Sequence, residues 1–178
     1  MPSPIAHSIT GYAISRLWSD RINPRHKVSS PWLLFYGVFI GIMADFDFIP
    51  QIITGDRYHH RFSHSITFAV GTAIVAWGIA TFCRYAKAGQ IGLLTLAVYG
   101  SHLILDLVTQ GSSGIQLLWP FSTKLYRSSV VIFPSTYWSE PLFQHSGHFI
   151  FIAFELGYGA LVMLSLWFAK ITRKQLRG

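Results

Sequence analysis

This chain of 178 residues is short of charged side chains. Asp, Glu, Lys and Arg make up only 12% of it, while 51% is hydrophobic and 16% aromatic. Soluble proteins carry roughly 25% charged residues, so the composition excludes a disordered chain, a coiled coil and a charged solenoid. Too few polar groups remain to cover the surface of a soluble domain of this size. The composition therefore predicts a membrane protein, and the length predicts a single domain over residues 1–178.

Cysteine is nearly absent as well, since Cys83 is the single one. That excludes an intramolecular disulfide framework and a zinc site built from several cysteines, so any metal must be bound by histidine and carboxylate. Seven Asp and Glu stand against 14 Lys and Arg, and the formal net charge is +7. A nucleic-acid partner is not expected, because the basic residues lie in short segments between long apolar runs and not along one polar, aromatic-rich element.

Long apolar runs divide the chain into predicted helices. Four runs are about as long as the roughly 17–25 residues that cross the hydrocarbon core of a bilayer. A weaker run at Pro4–Trp18 lacks the features of a signal peptide. The predicted fold class is all-α, an integral membrane helical bundle with four or five membrane-embedded helices. The four stronger runs are Trp32–Ile53, Ile66–Cys83, Ile91–Val108 and His148–Ala169.

Basic residues are distributed unequally between the two sides that these spans define. Ten lie on the side of the C-terminus and four on the other side. By the positive-inside rule the ten face the cytoplasm, so we expect a multi-pass protein of the cytoplasmic membrane with a cytoplasmic C-terminus. The loops 54–65 and 109–147 then face outward, and the second is long enough to form an ordered cap. The ten are Arg16, Arg21, Arg25, Lys27, Arg84, Lys87, Lys170, Arg173, Lys174 and Arg177.

Four of the seven acidic residues lie inside the apolar spans. A carboxylate there costs at least about 2.5–3.5 kcal/mol of insertion free energy, so such residues usually line a cavity, bind an ion or pair with a cation. The predicted topology brings them and most histidines to one depth near the outer face. The four acids are Asp45, Asp47, Asp106 and Glu155, and the histidines near them are His59, His60, His64, His102 and His148.

The spacing of these residues favours a metal site. His102 and Asp106 are four residues apart, so a helix presents both on one face, where they can share an ion. His60 and His64 have the same spacing in the outward loop. A mixed set of imidazole and carboxylate suits zinc, manganese or iron, and zinc is the first choice. The sequence therefore predicts a divalent metal as cofactor.

The other candidates can have more than one role. Asp45 and Asp47 are two residues apart and cannot share a helical face, so we expect Asp45 to bind the ion and Asp47 to orient a ligand or accept a proton. His7 joins them only if the N-terminal helix enters the membrane and does not lie on its cytoplasmic surface. Glu155 is either a ligand or proton acceptor, or the partner of a buried cation or of His148.

Four ordered motifs make the chain resemble the YdjM-like family of bacterial inner-membrane, metal-dependent hydrolases. Ala44–Asp47 is similar to the family's P-D-x-D, and His59–Ser65 to its H-[HR]-G-x-[ST]-H-S. Ser101–Asp106 is similar to S-H-x-x-x-D, and Leu117–Pro120 to L-L-W-P. The resemblance implies a hydrolase of the bacterial inner membrane.

Further positions bear on this resemblance. An early His followed by Gly, here His7 and Gly11, also fits the family and favours insertion of the N-terminal helix. Two positions depart from the pattern, because Ala44 stands where the family has Pro and Arg61 where it has Gly. The lost proline changes only a local backbone preference. Arg61 either binds an anionic phosphate or alters the loop that carries the neighbouring histidines.

The function predicted from the sequence is a membrane-bound, metal-dependent hydrolase that uses metal-activated water. We expect an amphiphilic, phosphorylated small molecule as substrate, such as a phospholipid or a lipid-linked phosphate, because the outward loops carry cations suited to phosphate. Those cations are Arg57, Arg61, Lys124 and Arg127. The predicted metal ligands are His7, Asp45, His64, His102 and Asp106, and the predicted proton acceptors are Asp47, His59, His60 and Glu155.

Two other classes of function stay open at this point. A metal-ion or proton transporter could use the same intramembrane His and Asp residues as a relay. A relay should continue through the membrane, whereas the inner halves of the spans show almost no ionisable groups. A purely structural or partner-binding membrane protein would leave the buried acids without a role. The one-sided cluster therefore favours the hydrolase.

Overall fold

The computed structural model describes residues 3–22, 31–55, 59–110, 113–134 and 146–175. Within these ranges the chain is helical and forms no strand beyond two isolated bridges in the cap. The predicted all-α fold is confirmed. The α-helices of the described chain are α1 (Pro4–Ile22), α2 (Pro31–Ile42), α3 (Phe48–Thr54), α4 (Ile66–Phe82), α5 (Ala88–Leu107) and α6 (Ser146–Gln175).

Three helical stretches of the described chain are long and apolar enough to cross a membrane: Pro31–Thr54, Ala88–Leu107 and Gly147–Thr172. The first combines α2, a 3₁₀ turn at Met43–Asp47 and α3. The helix α4 is apolar but shorter than these. The four stronger apolar runs of the sequence thus all form helices, although the first is interrupted.

The helix α5 lies at the centre of the bundle and packs against α1, α2 and α4. Its side chains Leu94, Val98 and Tyr99 are completely buried in the apolar core. The helix α6 packs on α1, and most of its large apolar side chains are exposed. Such an apolar exterior is what contact with lipid requires.

The helices α1 and α2 cross closely because small residues line their contact. A Cβ atom on Gly41 would lie 2.7 Å from the carbonyl oxygen of His7, and one on Gly11 or Gly37 would collide with the facing backbone. Small residues allow helices to approach this closely in membrane bundles. The N-terminal helix is therefore packed within the bundle, with His7 only 1% exposed.

Local sequence sets several of the helix ends. Pro4 and Pro31 begin α1 and α2, where a missing N–H costs no hydrogen bond. Ser65 caps α4, because its Oγ accepts a hydrogen bond of 3.1 Å from the backbone N–H of Phe68. Gly55 ends α3 in the left-handed conformation, with φ of 76°. The loop between α3 and α4 is thus bounded by a glycine and a capping serine.

The bundle has two chemically different ends. At one end, the indole N–H of Trp18 donates a hydrogen bond of 3.0 Å to Gln90, and the ring of Trp32 meets that of Tyr85. This end carries the short connection between α4 and α5. The buried histidines and carboxylates lie at the other end, beside the described part of the cap at residues 113–134. The rest of the predicted cap, apart from residues 109–110 and 146–147, lies outside the described residues.

Candidate metal centre

The helix α5 presents His102 and Asp106 side by side. Both side chains are buried, and His102 Nε2 lies 3.2 Å from Asp106 Oδ2, as their spacing of four residues predicts. His102 Nδ1 lies 2.7 Å from the carbonyl oxygen of Gly41. Because a carbonyl only accepts hydrogen bonds, Nδ1 carries a proton, and Nε2 is the ring nitrogen that faces Asp106. Metal-binding histidines usually have such an outer partner.

His64 reaches the same point from the loop between α3 and α4. Its Nε2 lies 3.2 Å from His102 Nε2 and 3.2 Å from Asp106 Oδ2. Its Nδ1 lies 3.2 Å from Asp47 Oδ2 and 3.0 Å from Ser63 Oγ. A carboxylate behind Nδ1 holds an imidazole with Nε2 directed at a metal. His64 and His102 therefore present the same nitrogen to a shared point.

Asp45 joins these residues from the 3₁₀ turn that interrupts the first span. Its Oδ1 lies 3.6 Å from Nε2 of both His64 and His102. Ligand atoms at 2.0–2.1 Å from a tetrahedral ion are about 3.3–3.4 Å apart. Five of the six pairs among the four ligand atoms lie 3.2–3.6 Å apart, close to that value. Asp45, His64, His102 and Asp106 form what we term the central cluster.

The 3₁₀ turn also explains how Asp45 and Asp47 are both buried although they are two residues apart. Each residue of a 3₁₀ helix turns by about 120°, so the two side chains point in different inward directions. Asp47 faces the loop, where its Oδ1 lies 2.7 Å from His59 Nδ1 and its Oδ2 accepts a hydrogen bond of 2.6 Å from Ser63. Since both oxygens are engaged, Asp47 is placed to orient histidines more than to take a proton from water.

His7 lies at the edge of the central cluster. Its ring stacks on that of His102, with centroids 3.8 Å apart, and its Nε2 lies 3.6 Å from Asp106 Oδ1. The N-terminal helix packs against α2, α5 and α6, which is the packing that its predicted insertion requires. The structure therefore brings His7 together with the other four predicted ligands.

Several buried polar atoms in this region have no hydrogen-bond partner among the described residues. They include both carboxylate oxygens of Asp45 and of Asp106, both ring nitrogens of His7 and Nε2 of His60. An unsatisfied buried polar group costs about 1–3 kcal/mol, and more when it is charged. A divalent cation would satisfy carboxylates and imidazoles at once, so the donor set fits zinc, manganese or iron.

His59 and His60 lie next to His64 in the same loop. The three offer ligand atoms within 4.8 Å of one another. His59 stacks on Phe48, with centroids 3.9 Å apart. His60 is buried in the left-handed conformation, with φ of 68°, and its carbonyl accepts a hydrogen bond of 3.0 Å from the backbone of Gln116 in the cap. The cap thus helps to hold the loop in place.

The loop keeps this arrangement with Arg61 in place of the family's glycine. Arg61 has φ of −94° and ψ of −129°, and its side chain is exposed. The left-handed residue is His60 and not Arg61. With Arg61 at this position, the neighbouring histidines His59, His60 and His64 stay grouped.

The two buried histidines of this loop differ in their tendency to bind a proton. Burial lowers the pKa of His60 to about 3, so that its imidazole is neutral at pH 7. Burial also acts to lower the pKa of His64, but the carboxylates of Asp106, Asp45 and Asp47 outweigh it and raise that pKa well above its usual range. A cation at the central cluster would compete with this proton.

Glu155 has a different partner from those expected. Its two carboxylate oxygens accept hydrogen bonds from Ser3, one from the backbone N–H at 2.6 Å and one from the hydroxyl. It belongs to none of the groups of described His and Asp residues that could hold an ion. Ser3 immediately precedes α1, so Glu155 ties α6 to the start of the helix that carries His7. The bonds to Ser3 indicate a structural role, and a role of Glu155 as ligand or proton acceptor stays a prediction.

The basic residues considered for substrate binding lie outside the central cluster. Arg61, Lys124 and Arg127 are all exposed. Arg127 borders a cleft of about 390 Å³ together with Gln110 and Ser128, just beyond the end of α5. Arg57 lies outside the described residues.

Two partners of the ligands were missed at the level of sequence. The carbonyl of Gly41 holds His102, and the hydroxyl of Ser63 holds Asp47. Ser63 stands at the Ser/Thr position of the histidine motif, which could have suggested a role. A backbone carbonyl has no side chain to mark it, so no sequence pattern could have identified Gly41 as a partner.

The chain can be compared with known proteins over nearly its whole length. It matches the family of YdjM inner membrane proteins over residues 1–175. It is also similar to the inner membrane protein YbcI of Escherichia coli (strain K12), with 29% identity over 186 residues that cover 96% of this chain and 99% of the relative. No solved structure matches the chain. The chain therefore belongs to the YdjM family of inner membrane proteins, and it carries His and Asp groups that could bind a metal ion.

Proposed function

We propose that this protein is a metal-dependent hydrolase of a phosphoester or lipid-linked substrate, with its site at the outer face of the inner membrane. The observation that carries the proposal is the meeting of four ligand atoms from three separate segments, at 3.2–3.6 Å, in the interior of a membrane protein. Buried ionisable groups in a membrane protein are costly and usually functional.

The chain's own residues would hold a divalent cation in a defined geometry. Asp45, His64, His102 and Asp106 supply the ligand atoms, with His7 beside them. Asp47 and the Gly41 carbonyl keep the two imidazole rings oriented with Nε2 inward. A cation held there with a fifth position open would lower the pKa of a bound water molecule and polarise a phosphoryl or carbonyl oxygen.

His59 is the best placed of the expected proton acceptors. Its Nδ1 bonds to Asp47 at 2.7 Å, and its side chain is 12% exposed, at the border between the buried cluster and solvent. A carboxylate behind an imidazole fixes the tautomer and stabilises the protonated ring, as in catalytic His–Asp pairs. We assign to His59 the transfer of a proton from the attacking water, with Asp47 as its positioning residue. His60 is neutral and buried, and it lines the site beside His59 and His64.

The substrate class follows from the place of the site in the bundle. The central cluster lies at the end of the bundle that meets the cap, so an amphiphile could keep its apolar part in the bilayer while its head group reaches the ion. The exposed cations Arg61, Lys124 and Arg127 would attract an anionic head group. Both features support a phosphorylated lipid or lipid-linked phosphate.

The distribution of buried groups supports a one-sided site over a transport relay. The buried His, Asp and Glu residues of the described chain gather at the cap end. Toward the other end, the buried polar groups of the described helices are the hydroxyls of Ser15, Ser19 and Thr95. A pathway for protons or metal ions would need ionisable groups on both sides of the membrane.

The test uses the full chain purified in detergent. We expect the wild type to contain a transition metal, measured by inductively coupled plasma mass spectrometry, and to hydrolyse a phospholipid or nitrophenyl phosphodiester in a chelator-sensitive reaction. His102→Ala should lower both metal content and rate by more than about 100-fold, beyond the 10–100-fold typical of losing an outer partner. His26→Ala, in a predicted cytoplasmic segment outside the described residues, is the matched control and should change neither.

Wild-type protein with neither bound metal nor chelator-sensitive hydrolysis would contradict the proposal. Metal or proton flux into liposomes that disappears in His102→Ala, without hydrolysis, would favour the transporter instead.

A further inference from the structure

The site contains more potential ligands than one ion requires. Zinc takes four ligands in most protein sites and five at most during catalysis. The central cluster alone offers four, and His7 lies beside it, with neither ring nitrogen hydrogen-bonded to any residue that the structure describes. The described His and Asp residues also fall into more than one group: Asp45, His64 and His102 form one, and His7, His102 and Asp106 form another.

The two carboxylate oxygens of Asp106 face different groups. Its Oδ2 lies 3.2 Å from Nε2 of both His64 and His102, whereas its Oδ1 lies 3.6 Å from Nε2 of His7. Neither oxygen has a hydrogen-bond partner among the described residues, and the side chain is fully buried. A carboxylate that offers one oxygen to each of two donor sets is placed to bridge two ions.

His102 cannot serve both groups. Its Nδ1 is committed to the Gly41 carbonyl, and its Nε2 belongs to the central cluster. An ion near His7 would therefore depend on His7 Nε2 and Asp106 Oδ1, whose separation of 3.6 Å matches neighbouring ligands of one ion.

We propose that the protein binds a second divalent cation between His7 and Asp106, with Asp106 bridging it to the ion of the central cluster. This inference rests on the proposed metal-dependent function and adds to it a two-metal site. Paired ions in phosphoester hydrolases lie about 3.5–4 Å apart and stabilise the attacking and leaving oxygens. With two protein ligands, the second ion keeps positions open for water or for a phosphoryl oxygen of the substrate.

The arrangement predicts unequal affinities for the two ions. The first is held by four protein ligands and the second by two, one of them shared, so titration of the metal-free full chain with Zn²⁺ or Mn²⁺ should show a tight equivalent followed by a weaker one. With Mn²⁺, electron paramagnetic resonance should show spin coupling between the two ions. His7→Ala should remove the weaker equivalent and leave the uncoupled spectrum of a single Mn²⁺.

Two variants serve as comparisons in the same titration. His26→Ala should keep both equivalents and the coupled spectrum. Asp106→Asn should lose the coupling and weaken both equivalents, because it removes charge from both sites. A thermal unfolding curve of each variant, recorded without metal, identifies any loss that results from misfolding.

The possible outcomes separate this inference from the proposed function. Saturation of the wild type at one equivalent, with chelator-sensitive hydrolysis, overturns the second ion and leaves the hydrolase standing. Two coupled equivalents without hydrolysis of any phosphoester support the second ion and count against the hydrolase. Loss of the coupling in a folded His7→Ala variant supports the bridge, whereas an unchanged coupled spectrum in that variant refutes it.

Discussion

At the scale of single residues, the candidate site depends on groups that hold the ligands as much as on the ligands. Ser63 and Ser65 stand two positions apart in the loop between α3 and α4, and both are buried. Ser63 bonds to Asp47 and lies 3.0 Å from His64 Nδ1, whereas Ser65 caps α4 through Phe68. The same loop thus contains one serine that faces the site and one that faces a helix.

Replacing each serine by alanine should separate these two roles. Ser63→Ala removes a partner of Asp47 and His64, so we expect metal affinity to fall by about 10-fold, toward the lower end of the effect of losing outer partners. Ser65→Ala should leave that affinity unchanged and lower stability by about 0.5–2 kcal/mol, as loss of a helix cap does. Metal titration and thermal unfolding of both variants measure the two effects. Equal affinities in the two variants would contradict the place given to Ser63.

Sequence reasoning identified the ligand side chains more readily than their supports. His102 and Asp106 follow from helical spacing, and Asp45 follows from the rarity of acids in apolar spans. The roles of Asp47 and Glu155 stayed open because they depend on which partner lies nearest, here His59 and Ser3. Such partners lie far away in sequence, so only the folded chain shows them.

At the scale of helices, the close crossing of α1 and α2 places His7 and the Gly41 carbonyl at the site. Gly41 has no space for a side chain, since an added Cβ would lie 2.7 Å from the His7 carbonyl oxygen. Gly71 on α4 has nothing within 4 Å of the same added atom. The two glycines therefore form a matched pair, one inside a helix contact and one outside it.

Alanine at these two glycines should have opposite effects on stability. Gly41→Ala should destabilise the protein by about 1–3 kcal/mol, as overpacking does, and should weaken metal binding by moving α1 away from His102. Gly71→Ala should be neutral or stabilising by up to about 1 kcal/mol, because alanine favours the helix. Unfolding in detergent and metal titration measure both changes. A Gly41→Ala protein as stable as Gly71→Ala would show that the crossing is looser than described.

The helices themselves were predictable, but one interruption was not. The apolar run Trp32–Ile53 predicts one continuous span, and the structure divides it at Met43–Asp47 into α2, a 3₁₀ turn and α3. Mean hydropathy and length cannot show such a break, and no proline stands at Met43–Asp47 to mark it. The turn directs Asp45 to the central cluster and Asp47 to the loop, and both side chains stay buried.

At the scale of the whole molecule, the basic residues Arg21, Arg84 and Lys87 lie at the end of the bundle opposite the candidate site. Trp18 contacts Gln90 and Trp32 contacts Tyr85 at this end, next to Arg84 and Lys87 in the sequence. The described histidines of the site gather at the cap end. Membership of an inner membrane protein family establishes the membrane, and the excess of basic residues predicts which end faces the cytoplasm.

The single cysteine provides a test of this orientation. Cys83 is exposed at the end of α4, next to the basic residues Arg84 and Lys87, so we expect it to face the cytoplasm. A membrane-impermeant maleimide should leave it unlabelled in intact spheroplasts and label it after the membrane is opened. The matched variant combines Cys83→Ser with Thr123→Cys, which moves the thiol to an exposed position in the cap. That thiol should react in intact spheroplasts, because the cap and the central cluster share the end that is predicted to face outward. The reverse pattern would place the site in the cytoplasm and remove external lipid-linked substrates from consideration.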